Sequence, residues 1–307
     1  MKNNNKFFTV LKERWQIYLL IGPFLILFVL MTVLPILSSV VLSFFNYDMV
    51  HQLEFAGLGN YITMLLEDVE NYLRMFIQDD IFWIILKNTF ILAILTGPTG
   101  FLLSFVLAWM INEFNQGLRT LLSFMFYVPS LVGNALYVWT VIFSSDSYGY
   151  MNSILLSLRL ITQPKQWFSD SALIVPIVVM IQLWMSMGIS FLSNISGLQN
   201  INPELFEAGA VDGIRNRWQE LWFITLPQLK PQLMFGAVMS ITGAFTVGNV
   251  GAMLCGNPST EYAVHTLVNH MTDYATVKYE FGYACAIATL LFLAMIVCNE
   301  LIKHLLK

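Results

Sequence analysis

The chain has 307 residues, 57% of them hydrophobic and 11% charged, with a formal net charge of −4. A soluble domain carries about a quarter of its residues charged, so a chain of this length with so few cannot cover a water-facing surface. The acidic balance argues against a basic, nucleic-acid-binding protein, and Cys255, Cys285 and Cys298 have no metal-ligand spacing and read as small apolar helix residues.

Six stretches without Asp, Glu, Lys or Arg are long enough to cross a hydrocarbon core of about 30 Å, which takes roughly 20 residues. They predict an all-α integral membrane protein with spans at about 17–45, 84–112, 120–145, 171–198, 231–255 and 281–302, forming one transmembrane domain over 1–307. The first span follows Lys2, Lys6, Lys12 and Arg14. Its apolar run is far longer than the h-region of a signal peptide, and no small-x-small cleavage site follows, so it reads as a retained helix.

Asp48 to Asp80 form a long acidic loop, in which Tyr61, Met64, Leu65, Tyr72, Met75 and Phe76 recur at helical spacing and predict a helix. The link between the second and third spans is short. With the N-terminus inside, Lys2, Lys6, Lys12, Arg14, Arg119, Arg215, Arg217, Lys230, Lys303 and Lys307 fall inside. Arg74, Lys87, Arg159, Lys165 and Lys278 fall outside. That bias places both termini in the cytoplasm, and with them the loop 199–230 between spans four and five.

This loop opens with a well-specified short helix. Asn202 is a good N-cap, Pro203 suits the first helical position, Glu204 suits the positive end of the dipole, and Gly213 suits a left-handed C′ position. Ala208, Gly209 and Ala210 predict a thin wall that another protein's backbone can approach, flanked by Glu207 and Asp212. A second helical stretch, Arg215 to Thr225, leads through Leu226-Pro227 to Pro231.

Glu207-Ala208-Gly209, Asp212-Gly213 and Ile224-Thr225-Leu226-Pro227 resemble the EAA loop of ABC-importer permeases of the type I, binding-protein-dependent class. Phe55-Ala56-Gly57-Leu58-Gly59-Asn60-Tyr61, Phe82-Trp83, Asn88-Thr89, Tyr127-Val128-Pro129 with Trp139, Gly149 with Asn152, and Gly282-Tyr283-Ala284-Cys285-Ala286 resemble signatures of the carbohydrate-uptake branch, in the same order. The resemblance covers about residues 17–300. Three departures stand out. Gly209 replaces the usual Ala, Gly213 to Ile224 is one residue longer than the family pattern, and Cys255-Gly256-Asn257-Pro258 lacks a Gly-rich run.

The resemblance implies a permease subunit forming half of a translocation path for a carbohydrate or similar polar solute. It makes Glu207, Ala208, Gly209, Asp212, Gly213, Leu226 and Pro227 the elements that couple this chain to an ATPase. The partners it implies are a second permease, two ATPase subunits carrying ATP and Mg, and an extracytoplasmic solute-binding protein, at the cytoplasmic membrane of a bacterium or archaeon. No cofactor is expected on this chain itself. Consistently, no G-x-x-x-x-G-K-[ST] run occurs, so this polypeptide has no phosphate-cradling loop of its own.

The solute path is expected among spans three to five, where Asn134, Tyr137, Gln182, Trp184 and Asn249 supply amides and aromatic faces suited to sugar rings. The plainer reading is that such amides bond neighbouring helices. An ion-coupled transporter acting without an ATPase is the alternative, and it normally needs an intramembrane carboxylate, which these spans lack. His265 and His270 lie off a single helical face and do not suggest a metal site. No arrangement of catalytic residues suggests an enzyme.

Overall fold

The computed structural model describes residues 15–64, 81–132 and 135–305. They are mostly helical, with one two-stranded ribbon. Three helices are long and apolar enough to cross a membrane, Leu19–Leu42, Ile81–Asn112 and Phe281–His304, and the number rises to six if each of three bent helix pairs is one span.

The chain divides into two compact units. In the first (described residues 15–64 and 274–289), α1 (Trp15–Phe28) continues through a π turn at Val29–Val33 into α2 (Leu34–Leu42). None of the residues of its apolar stretch Leu19–Leu42 is buried, as suits a lipid-facing helix. β1 (Phe45–Asn46) pairs antiparallel with β2 (Glu54–Phe55), Phe45 opposite Phe55. Asn60 fixes this ribbon by donating to the carbonyls of Ser43 at 3.0 Å and Phe45 at 2.9 Å, while the Tyr61 hydroxyl donates to Ser43 Oγ at 2.7 Å. Residues 59–64 are helical, and the rest of the helix expected there lies outside the described residues.

The second unit comprises described residues 81–273 and 290–305. It contains α3 (Ile81–Asn112), α4 (Gln116–Leu131), α5 (Leu136–Ile142), α6 (Tyr150–Ser157), α7 (Ser171–Met185), α8 (Ile189–Gln199), α9 (Glu204–Val211) and α10 (Arg217–Glu220). A π turn at Leu221–Thr225 follows, then α11 (Leu226–Phe245) and α12 (Gly248–Cys255). α13 (Leu267–Thr276) begins in the second unit and ends in the first, and α14 (Phe281–Leu305) begins in the first and ends in the second.

Helices α3, α8 and α11 pack most extensively on one another. Lipid tails are as apolar as Leu, so close approach rather than water exclusion must hold such helices together. Ala93, Gly97, Gly100, Ser104 and Ala108 accordingly recur along the buried face of α3. Two apolar clusters result. One contains Phe105, Ile111, Phe191, Leu198, Leu221 and Leu229. The other is built around Leu92, Phe143, Trp167, Ile181, Val247 and Leu254.

The expected third, fourth and fifth spans are each broken. α7 and α8 meet at 43°, and the helix Arg217–Phe245 meets α12 at 41°. α4 ends at Leu131 and α5 begins at Leu136, so the described residues of 120–145 form two helices and not the single one that its lack of charge suggested. Freedom from charge reports an apolar environment and carries no information about axis direction. The fifth helix also begins earlier than residue 231. Pro231 sits inside α11, within a helix that runs from Arg217 to Phe245.

Two family-like signatures prove to be scaffolding. Asn152 is fully buried and donates to the carbonyls of Ser144, Asp146 and Lys165 at 3.0–3.1 Å. Its Oδ1 accepts from Lys165 N at 3.1 Å and Trp167 Nε1 at 3.0 Å. One amide thus closes the whole loop 144–167. Asn88 donates to the Tyr262 carbonyl at 2.7 Å, and Thr89 Oγ1 accepts from Leu267 N at 2.9 Å.

Candidate functional site

The loop between α8 and α11 is ordered by its own sequence. Pro203 has helical angles (φ −55°, ψ −31°). Asn202 Oδ1 accepts from Glu204 N at 3.1 Å, so Asn202 caps α9 with Pro203 in the first turn. At the other end Gly213 has φ +94°, and Ile214 N returns to the Gly209 carbonyl at 2.9 Å. This Schellman closure demands a left-handed residue, which Gly supplies without a steric penalty. Asn216 then caps α10 by accepting from Gln219 N at 2.9 Å, and Gln219 Oε1 accepts from Arg215 N at 2.8 Å.

The thin wall expected at Ala208-Gly209-Ala210 is corrected in one respect: Gly209 faces inward and is buried. A β-carbon there would lie 2.7 Å from Ile224 Cδ1 and 3.1 Å from Ile214 Cδ1. The glycine lets the π turn and the Schellman residue close on the helix, and it is unreachable from outside. Glu204, Leu205, Glu207, Ala208, Ala210, Val211 and Asp212 remain on the exposed surface, Val211 at 88% exposure. Leu226 packs at the edge of the apolar cluster around Leu198 and Leu229, and Pro227 is exposed in the first turn of α11. The expected extra residue in 213–224 coincides with the π turn Leu221–Thr225, a wider turn that holds one more residue without breaking the helix.

The two helices joined by this loop also line a cavity of about 350 Å³, with contributions from α3, α4 and α7. Tyr127, Ser130, Gln182, Ser186, Ser240 and Thr246 present hydroxyls and an amide to it, with Met185 and Met239 between them. No acidic or basic side chain lines it among the described residues.

The expected path residues divide. Gln182 lines the cavity. Trp184 instead lines a shallow apolar groove with Leu103, Val175 and Met180 and meets Trp139 edge-on at 5.4 Å. Tyr137 and Asn249 are exposed and do not line the cavity, and Asn134 lies outside the described residues. The hydroxyl lining was missed because Ser and Thr are common in membrane helices. Its one sequence signal was the density of hydroxyls, from Ser186 and Ser190 to Ser240 and Thr246. His265 and His270 place their rings 6.1 Å apart, and no group of three metal-ligating side chains forms among the described residues.

Comparison with known proteins adds to this geometry. The family model described as "Binding-protein-dependent transport system inner membrane component" matches residues 100–306. The chain is 29% identical to the probable ABC transporter permease protein YesP of Bacillus subtilis, over 91% of this chain and 86% of that protein. It is 29% identical to the arabinooligosaccharides transport system permease protein AraP of the same organism, over 92% and 85%. The lactose transport system permease protein LacF of Rhizobium radiobacter is 27% identical, over 74% and 71%. In fold, it resembles a chain of a bacterial ABC transporter involved in the import of the acidic polysaccharide alginate, with a TM-score of 0.78 at 22% identity and 98% of each chain covered.

Proposed function

The chain belongs to the binding-protein-dependent transport system inner membrane components, and from that membership we propose that it is one of two permease subunits of an ATP-driven importer of an uncharged carbohydrate. The observation that carries the reading is the connection between loop and cavity. α9 is a doubly capped helix with an exposed face; its N-terminal end follows α8 and its C-terminal end leads through α10 and the π turn into α11, and both α8 and α11 line the cavity. A force applied to α9 therefore acts on two cavity walls at once. Such a device works when two conformations lie within a few kcal/mol and a partner binds them unequally.

The partners follow from the same reading: an ATPase dimer with ATP and Mg seated against Glu207, Ala208 and Asp212, a second permease, and an extracytoplasmic binding protein that delivers the solute. Gly209, Gly213, Leu226 and Pro227 hold the loop in shape. Orientation follows the basic-residue bias, with both termini and α9 in the cytoplasm of a bacterial or archaeal cell. The chain itself is not an enzyme on this reading.

Carbohydrate is supported by the names of the relatives, which include arabinooligosaccharide and lactose systems. Lack of charge in the solute is supported by a lining of hydroxyls, one amide and apolar faces, which match a sugar's hydroxyls and C–H faces and offer no counter-ion to an acidic sugar. Purifying the tagged chain from its host membrane tests the assembly. ATPase and second permease subunits should copurify, and reconstituted vesicles with the binding protein should accumulate a neutral oligosaccharide only with ATP. Uptake by the isolated chain driven by an ion gradient would instead favour a secondary transporter.

A further inference from the structure

The end of α3 is tied to the loop by two contacts on consecutive residues of α10. Arg217 Nη2 lies 2.7 Å from Glu113 Oε2, just past the end of α3, while its Nη1 lies 2.6 Å from Glu220 Oε2. Beside it, the Trp218 ring lies 5.5 Å from the Trp109 ring of α3. Arg217, Glu113, Glu220 and Trp109 line an open polar cavity of about 300 Å³ to which α9 contributes Phe206 and α8 contributes Leu198. Glu113 precedes the turn into α4, and Arg119 on α4 donates to Asn112 at 3.3 Å. The loop is therefore connected sideways to the α3–α4 corner as well as along the chain to α8 and α11.

Arg217 and Glu113 are both substantially exposed, at 61% and 41%, and an ion pair in that setting contributes little to stability. Its geometry is what distinguishes it. A planar guanidinium engaging two carboxylates through two different nitrogens fixes direction as well as distance, which an ammonium cannot do.

We propose that Arg217 is a positioning residue that makes the α3–α4 corner move as one body with the coupling loop, so that α3 and α4, which also line the cavity, follow α9. The proposal rests on the importer reading above. The test uses the intact assembly, with spin labels at Gln116 on α4 and Arg215 on the loop. In the unsubstituted protein the label-to-label distance distribution should be the same before and after addition of Mg-ATP with vanadate. In Arg217→Gln, and equally in Glu113→Gln, the same addition should shift and broaden it, while ATP hydrolysis measured without vanadate continues. The double variant should shift no further than either single one, and Arg217→Lys, whose ammonium holds distance but not direction, should shift nearly as far as the Gln variants. A shift of equal size in the unsubstituted protein, or none in the Gln variants, overturns the clamp. Purification of the chain without any ATPase subunit would instead remove the importer reading, and the clamp with it.

Discussion

Ile224 closes over Gly209, with its Cδ1 2.7 Å from where a β-carbon on Gly209 would sit. The two residues lie in the two halves of the loop signature, one in the helix that is exposed and one in the turn that leads into α11. Their contact gives the spacing of the signature a physical reason. The glycine that weakens α9 by about 1 kcal/mol in propensity is the residue that allows the loop to fold back on itself.

Replacement of Gly209 should therefore act within this chain. Gly209→Ala places a methyl 2.7 Å from Ile224 Cδ1 and 3.1 Å from Ile214 Cδ1, so both tips must give way, and the gain in helix propensity should hold the net loss to within about 1 kcal/mol. Gly209→Leu should cost about 1–3 kcal/mol by overpacking, and Ile224→Ala in the same chain should recover most of that. Thermal unfolding of the purified chain in detergent measures both.

Gly213 is held at φ +94° by the Schellman closure. Gly213→Val should cost about 1–3 kcal/mol, because a β-branched residue is strained there, and Gly213→Asn should cost less. Hydrogen exchange at Ile214 N, which bonds to the Gly209 carbonyl, should speed up in the Val variant and change little in the Asn variant.

Asn152→Leu removes the amide that closes the loop 144–167. It strands Trp167 Nε1 and Lys165 N, together with three carbonyls. The loss should be about 2–5 kcal/mol, read as a lowered melting temperature together with a changed Trp167 emission.

His265, in the segment between α12 and α13, is almost fully buried. Burial pushes its pKa below the ordinary 6.5, opposed by the Asp273 carboxylate 3.7 Å away. A base whose folded pKa is depressed contributes stability that is present above its ordinary value and lost as pH falls from there through the folded value. The melting temperature should therefore fall between about pH 7 and pH 5. His265→Gln should flatten that dependence.

Much of this was legible in the sequence. Charge-free stretches located the apolar helices because the bilayer excludes ions, and Asn202, Pro203 and Gly213 marked the limits of α9 because capping is local chemistry. The inward face of Gly209 was not legible, since it depends on Ile224, fifteen positions later and brought back only by the fold. Nor were the breaks in the middle spans legible, because an apolar run has the same composition straight or bent. Gln182 and Trp184 are two residues apart and point to different surroundings, one to the polar cavity and the other to an apolar groove. Residue type alone could not separate them.

Site-specific photocrosslinking from Val211 tests the central claim most directly. The residue is 88% exposed on α9, one turn from Glu207, and a photoreactive side chain there disturbs no contact that shapes the loop. In host membranes the expected product joins this chain to an ATP-hydrolysing subunit, whereas the same probe at Tyr148, 91% exposed between α5 and α6 and on the other membrane face in the proposed orientation, gives no such product. Failure to capture an ATPase from Val211, or its capture from Tyr148, would contradict the assignment of α9 as the docking element.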